Sequence, residues 1–300
     1  MEPYTLKQVI QDAADGVLLR TYLFDHLKLS RRLVKSIKFG GQFFINGQPA
    51  TVRYRITTGD ELVIKFPPEH TSDTLMARSM PLDIKYEDDD ALVINKPPDL
   101  PVIPSFQYPN GTLANGVLAY LQGQHLPYTV HTVTRLDRDT SGLILIAKHR
   151  YAHERFFHMQ HSKAIEREYL AVAEGHLQAV EGVIDAPIGR EEGSIIKRCV
   201  REDGKWARTH YKVVKRLAGM DVVTIRLETG RTHQIRVHFA HIGHPLAGDD
   251  LYGGSLTRIH RQALHSQHLS FKHPLTEETI VVSAPPSPDI HGIIQHSSSI

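Results

Sequence analysis

Two stretches of this chain bring together residue types that can do chemistry. The first, Thr134-Arg135-Leu136-Asp137-Arg138-Asp139-Thr140-Ser141-Gly142, runs directly into the apolar segment LILIA, so its polar groups sit on a loop at the edge of a strand. Arg135 and Arg138 flank Asp137, and opposite charge nearby keeps a carboxylate ionised, the state a nucleophile needs. Asp139, Thr140 and Ser141 read as turn residues that bond their own backbone, with Gly142 supplying unusual dihedrals. The second stretch runs from Leu227 through Gly230 to His238 and passes from a strand through a glycine turn into a helix. Ile235, Phe239 and Ile242 recur at i, i+4 and i+7 and should anchor that helix, which leaves Arg236 beside the buried face near its start. An arginine placed there can point into a cleft or form a surface salt bridge, and periodicity leaves both readings open.

Other chemistries fit less well. Twenty histidines, among them His238-x2-His241-x2-His244 and His149-x3-His153, raise the question of zinc. There is no HExxH and no cysteine pair, so a metal site is not expected. An Asp137/Asp139 magnesium pair is weaker still, because no glycine-rich loop of the GxxxxGK type occurs. The single cysteine, Cys199, excludes an internal disulfide and reads as a structural thiol. No cofactor is expected.

The elements that must position these groups divide into two units. Residues 16 to 27 place Val17, Leu18, Leu19, Tyr22, Leu23, Phe24 and Leu27 at helical spacing, and Ser30 is the expected N-cap of a second helix. That helix packs Leu33, Val34 and Ile37 inward and carries Arg31, Lys35 and Lys38 at i, i+4 and i+7 on its other side. Gly40-Gly41 stops it. Phe43 to Ile45, the Asn46-Gly47 turn, Thr51 to Ile56, the Gly59-Asp60 turn and Glu61 to Phe66 read as short strands.

Pro67-Pro68 and the polar residues that follow form an expected linker over 67–80. Beyond it, strand-like segments (Leu82 to Tyr86, Ala91 to Asn95, Leu143 to Ala147, Tyr169 to Ala173, His210 to Lys215, Val222 to Leu227, Ile280 to Ser283) alternate with only three clear helices, 112–121, 150–161 and 232–242. Too few helices separate the strands for a doubly wound parallel sheet. The fold class expected is α+β with a mixed, largely antiparallel sheet, preceded by a small α/β unit. Residues 286–300, rich in Pro, Ser and His, read as a loose tail.

The formal net charge of +2 does not announce a nucleic-acid partner, but local clusters point that way. Lys28, Arg31, Arg32, Lys35 and Lys38 lie close together with no acid between them, and Lys197, Arg198, Arg201, Lys205, Arg208, Lys212, Lys215 and Arg216 form a second basic stretch. Either alone is a plausible solvated face; two on one chain favour a polyanionic partner. The polar amino terminus lacks the apolar core of a secretion signal and no run is long enough to span a bilayer, so a cytoplasmic location without membrane contact is expected.

LSRRLVKSIKFGGQFFINGQPA followed by GDELVI resembles the small RNA-binding domain of ribosomal protein S-four, over residues 13–66. That resemblance implies RNA contact by Arg31, Arg32, Lys35 and Lys38. Over 81–285 the chain resembles the Rlu-type pseudouridine synthases. RLDRDTSG is similar to their catalytic loop, IEREYLAV to their second motif and TGRTHQIRVHFAHIGHPLAGDDLYG to their third, with NKPPDLPVIPS and LHSQHLSFKHP also matching and all in the family's order. The resemblance implies a pseudouridine synthase fold, with Asp137 as nucleophile, Tyr169 as the tyrosine that stacks on uracil and Arg236 as the partner of the aspartate. Arg135 matches the arginine that helps hold the target base out of its stack, and Arg231 and Leu227 are implied as further substrate contacts. Without the resemblance, Tyr169 would read as a core strand residue. One departure is Thr134, where the family usually has histidine.

The implied reaction isomerises uridine, needs neither redox cofactor nor ATP, and acts on structured RNA, ribosomal more readily than transfer RNA, by a monomer. A non-catalytic RNA-binding assembly factor is the principal rival, against which the intact Asp137, Tyr169 and Arg236 argue.

Overall fold

The computed structural model describes residues 3–11, 15–72 and 74–296. The amino-terminal unit is a four-stranded antiparallel sheet in the order β1 (Thr5–Val9), β4 (Glu61–Lys65), β2 (Gln42–Ile45), β3 (Gln48–Ala50), covered by α1 (Leu19–Asp25) and α2 (Arg31–Gly40). Ser30 caps α2 as expected, its hydroxyl accepting from the Leu33 N–H at 3.1 Å, and Leu33, Val34 and Ile37 are buried. The chain can turn back at Gly41 because a Cβ there would lie 2.2 Å from the Lys65 carbonyl oxygen. Asn46 and Gly47, with φ of 51° and 77°, make the tight hairpin between β2 and β3.

Two expectations change here. Thr51 to Ile56 is not a strand but a turn-containing segment, joined to the start of α1 by a bridge between Arg55 and Leu18 and by the Leu19 and Arg20 N–H groups donating to the Tyr54 and Val52 carbonyls, with Ile56 buried in the core. A strand, β1, precedes the expected start at residue 13, which itself lies outside the described residues; it pairs with β4 from Thr5 to Val9.

The second unit is built on a ten-stranded sheet. Its main path runs β10 (Glu181–Asp185), β13 (Arg208–Leu217), β14 (Met220–Leu227), β9 (Ile165–Glu174), β15 (Leu264–Lys272), β8 (Ser141–Ala147), β6 (Ala91–Lys96), β5 (Ile84–Glu87). The short β7 (His131–Thr132) adds to β8 and β16 (Thr279–Ser283) to β15. All pairings are antiparallel except β15 with β8, so the sheet is mixed and largely antiparallel, as expected. A separate ribbon pairs β11 (Ile188–Arg190) with β12 (Arg198–Val200).

Helices cover both faces. The helix α3 (Leu113–Gly123) packs Leu113, Val117 and Leu121 against Leu92, Ile94, Ile144 and Ile146. On the opposite face α4 (Arg150–His161) packs Ala152 and Phe156 against Val93, Leu145 and Phe271. Every residue of β8 is consequently buried, which explains its uninterrupted apolar run. The helix α5 (Gln234–His241) packs Ile235 and Phe239 over Ala171, Val223 and Ile225.

The expected tail is instead largely a helix, α6 (Pro288–His296); residues 297–300 lie outside the described residues. Pro288 at its first position and Asp289 in its first turn are start signals, and Ile290 and Ile293 bury against Val172, Leu217 and Val222. The expected linker is tied to the second unit: Glu69 accepts from the Arg150 N–H at 2.7 Å, and the Asn115 side-chain amide donates to the Met76 carbonyl at 2.7 Å. The two units also share a packed seam. Tyr4 stacks on His149 with ring centroids 3.6 Å apart, and Tyr151 of α4 joins the core of the amino-terminal unit.

Candidate active site

The loop that carries Asp137 leaves β7 and enters β8, and it is braced from several sides. Thr134, which stands where a histidine is usual among the resembled proteins, accepts a hydrogen bond from the Leu145 N–H at 2.9 Å through Oγ1, pinning the loop's start to β8. Lys96, fully buried, donates from Nζ to the carbonyls of Pro97 and Arg138, each at 2.7 Å. Burial pushes that ammonium down to about 7. Arg261 donates to the Asp139 carbonyl at 2.8 Å, and the Thr140 N–H closes a turn onto the Asp137 carbonyl at 3.1 Å. The loop ends at Gly142, whose φ of +109° and 2.3 Å approach of a would-be Cβ to the Ser266 carbonyl exclude any side chain.

Asp137 comes face to face with Arg236, 99 residues away along the chain. Nη1 of Arg236 donates to Asp137 Oδ2 at 3.3 Å. The guanidinium's remaining edge is held more tightly: Nε donates to Asp249 Oδ2 at 2.8 Å and Nη2 to Asp249 Oδ1 at 2.7 Å. The Arg236 side chain is 8% exposed and that of Asp249 not at all, whereas Asp137 keeps 27% of its side chain open to the cleft. Burial alone would lower the guanidinium, but Asp249 and then Asp137 raise it above its ordinary value, so it is always charged. Of the two readings of Arg236, the cleft is the one observed: it lines the cleft, and the salt bridge it forms with Asp249 is buried rather than on the surface.

Two aromatic residues complete this corner. The guanidinium carbon of Arg236 lies 4.9 Å from the ring centroid of Tyr252, whose hydroxyl accepts from the Arg198 N–H at 3.0 Å and lies 2.8 Å from His233 Nδ1. With its oxygen already accepting, the hydroxyl is placed to donate to Nδ1, which puts the proton of a neutral imidazole on Nε2, 3.9 Å from Asp137 Oδ2. Burial lowers the His233 pKa, with Asp137 opposing, in keeping with a neutral ring. His233 caps α5 in the left-handed region, φ 58° and ψ 19°, a strained conformation of a kind that gathers at functional sites.

The cleft in front of Asp137 measures about 870 Å³. Tyr169, Leu227, Arg231 and Arg135 all line it. Tyr169 is 4% exposed and packs among Ile225, Ile235 and Leu264, so it is a core strand residue with one side on the cleft. Arg231 is steadied by a bond from Nε to the Trp206 carbonyl at 3.0 Å, and Arg135 is exposed. Sequence reasoning missed Lys163 and Arg167, which also line the cleft. Glu228, an acid on the rim, is bound by Lys163 at 2.8 Å and His210 at 2.7 Å, and these bonds hold its carboxyl down at about 2.

Arg138 does not support Asp137 as its position in the sequence implies. It turns to Asp139, with Nη2 to Oδ2 at 3.1 Å, and to Asp99 and the Tyr108 hydroxyl. Asp249 and Tyr252 were quoted within a motif but given no role; a buried arginine in the same motif is the signal that an acid must be near. Arg31, Arg32, Lys35 and Lys38 lie on α2 and do not line this cleft. Of the histidines considered for zinc, His238 has both ring nitrogens occupied, by Thr209 Oγ1 and the Ala186 carbonyl, each at 2.9 Å. Among the described residues the one close ligand-type cluster is Asp88, Asp90 and His273. Its carboxylates are engaged by the Tyr86 hydroxyl, His149 and backbone N–H groups.

A family model described as RNA pseudouridylate synthase matches residues 90–241, a span that includes Asp137, Tyr169 and Arg236. The chain is 51% identical over 270 residues to the uncharacterized RNA pseudouridine synthase YjbO of Bacillus subtilis, covering 90% of this chain and 95% of that one. It is 37% identical over 276 residues to ribosomal large subunit pseudouridine synthase D of Vibrio parahaemolyticus, covering 87% and 84%. Among solved structures, human RNA Pseudouridylate Synthase Domain Containing 1 aligns with a TM-score of 0.60 at 25% identity, over 77% of this chain and 92% of that one.

Proposed function

The chain belongs to the RNA pseudouridylate synthase family, an isomerase, and from that premise we propose that it converts specific uridines of large-subunit ribosomal RNA, with Asp137 as the essential carboxylate. The observation that carries this reading is the meeting of Asp137 and Arg236 at 3.3 Å on a cleft rimmed by Arg135, Lys163, Arg167 and Arg231. The ribosomal target rests on relatives named ribosomal large subunit pseudouridine synthase D.

In the reaction the bond from the sugar to nitrogen 1 of uracil breaks, the base turns, and a bond to carbon 5 replaces it. The proton on carbon 5 leaves to solvent and nitrogen 1 takes one up, so composition is unchanged. The roles proposed are those the resemblance implies, and the cleft lining of Asp137, Arg236, Tyr169, Leu227, Arg135 and Arg231 supports them. Asp137, partly open to the cleft and beside the Arg236 guanidinium, attacks the sugar or base or takes a sugar proton. Arg236 orients it. Tyr169 stacks on the flipped uracil with Leu227 beside it, recovering part of the cost of unstacking, a few kcal/mol. Arg135 holds the base out, and Arg231 is a further substrate contact. Arg31, Arg32, Lys35 and Lys38 contact RNA outside the cleft. The protein works as a monomer in the cytoplasm; among the described residues no helix is long and apolar enough to cross a membrane.

The test is conversion of ribosomal RNA, taken from cells lacking this gene, by the purified protein in excess chelator and without nucleotide, read by pseudouridine mapping. New pseudouridine at defined positions is the expected result. Activity that disappears with chelation and returns with zinc would replace this reading with a metal-dependent one.

A further inference from the structure

On α2 the residues Arg32, Lys35 and Phe39 recur at i, i+3 and i+7, one outward stripe that sequence reasoning had centred on Arg31, Lys35 and Lys38 instead. On α4, Arg150, Glu154, Phe157 and His161 recur in the same way. Arg32, Lys35 and Phe39 of the first stripe and Arg150, Glu154 and Phe157 of the second border one groove of about 1240 Å³ between the amino-terminal unit and the second unit. It is pinned at one side by the Ser30 N–H donating to Glu154 at 2.9 Å and by His158 at 3.2 Å from the Lys28 carbonyl.

Phe39 is 79% exposed and Phe157 51%, although both helices already fill their cores with other side chains. Two solvent-exposed aromatic rings on one groove mark it as a candidate docking surface. The charges around them select its chemistry. Both acids on the groove are already engaged, Glu154 by Ser30 and Glu69 by His131 and the Arg150 N–H. Lys28, Arg32, Lys35 and Arg150 leave the groove positive. Cations interleaved with exposed aromatic rings fit a single strand, whose phosphates meet the cations and whose unpaired bases stack. A duplex would use the cations and leave both rings in water.

The groove also leads to the cleft. His161 lines the cleft, and its ring centroid lies 4.2 Å from that of Phe157, which borders the groove. One surface of α4 therefore connects the two sites. We propose that this groove is a track for unpaired RNA beside the target uridine, with bases stacking on Phe157 and Phe39 and phosphates held by Arg32, Lys35 and Arg150. Its place beside a target uridine rests on the function proposed above; the track itself does not.

The experiment uses the full chain and two probes, a fluorescent single-stranded oligouridine and an RNA duplex of equal phosphate number. Phe39→Leu with Phe157→Leu should weaken oligouridine binding about tenfold and leave duplex binding unchanged. Independently of any variant, an oligouridine carrying 4-thiouridine should crosslink, in the wild-type protein, to peptides holding Phe39 or Phe157. Unchanged oligouridine affinity in the double variant would assign the groove to a protein partner and overturn the proposal, as would crosslinks confined to the cleft. Crosslinks in the groove without pseudouridine formation by the same protein would support the track and overturn only the reading of the chemistry.

Discussion

Asp249→Asn tests whether the orientation of Arg236, rather than its mere presence, serves turnover. The wild-type carboxylate is unexposed and takes two charge-assisted bonds from the guanidinium, at 2.8 and 2.7 Å. Asparagine keeps the shape, loses the charge, and sets an amide donor against one of the two guanidinium edges. Losing at least one such bond costs about 1.5–3 kcal/mol, and removing one partner of a buried pair reaches about 3–5 kcal/mol. A loss near 3 kcal/mol is expected, roughly 6–12 °C in Tm at about 2–4 °C per kcal/mol. The freed guanidinium then shifts relative to Asp137, and a displacement of about 1 Å at a reacting group costs on the order of a hundredfold. Turnover can be counted by release of tritium from carbon 5 of uridine, because the new bond forms there. Assayed well below the lowered Tm, kcat should fall about a hundredfold while KM changes little. A variant that loses stability but keeps wild-type kcat would show that Asp249 only holds the fold, and the positioning argument would fail.

Asp137→Asn should reduce turnover below detection while the protein stays folded and its RNA affinity changes little, whereas Asp139→Asn, which gives up a partly exposed pair with Arg138, should stay within a few-fold of wild type in the same tritium assay. Pseudouridine formed by the 137 variant, or its loss in the 139 variant alone, would mean the wrong aspartate had been chosen. His265 is buried beside Ser141 at the end of the loop that carries Asp137, and burial depresses its pKa from 6.5 to about 4. Between those values the unfolded chain binds the proton and the folded one does not, so stability present above pH 6.5 is lost as pH falls towards 4, by roughly 3 kcal/mol in all. His265→Gln should flatten the dependence of Tm on pH across that window, and parallel curves would refute the assignment. Lys35→Ala with Lys38→Ala should weaken RNA binding and make its salt dependence shallower by about one to two in log–log slope; an unaltered slope would remove α2 from the phosphate contacts.

What the sequence could reveal follows from how local each cause is. The strand β8 and the helix α2 were legible because an apolar run or a 3.6-residue stripe, with its cap, is written in neighbouring residues. The central strand β15 was not, since LHSQHLSFK places polar residues at buried positions. His265 and Ser266 are 1% and 0% exposed, and a strand that hides polar groups, as His265 does against Ser141, shows no apolar alternation. The strand β1 and the helix α6 owe their order to partners far away, β4 for one and the β9 and β14 face for the other. At the site the same division holds. Asp137 stood out by type and position, whereas Arg236 was left between a cleft and a surface salt bridge until the resemblance paired it with the aspartate; flanking charge misassigned Arg138, because a turn sends neighbouring side chains in different directions.

The contrast between the two carboxylates that share Arg236 bears directly on the proposed chemistry. Asp249 is sealed from solvent and binds the guanidinium fork with two bonds in the length range of charge-assisted pairs. Asp137 is partly open and receives one bond at 3.3 Å, long for such a pair. The stronger pair fixes where the guanidinium points, so the weaker one does not have to. A carboxylate that must leave its partner to engage a sugar or a base, and later return, needs a nearby positive charge that stays in place and a bond to it that breaks at little cost. If the bond lengths were reversed, each turnover would begin by breaking the tighter of the two bonds. The division of one arginine between a structural acid and an open one therefore gives a physical reason to place the chemistry on Asp137 and the positioning on Asp249.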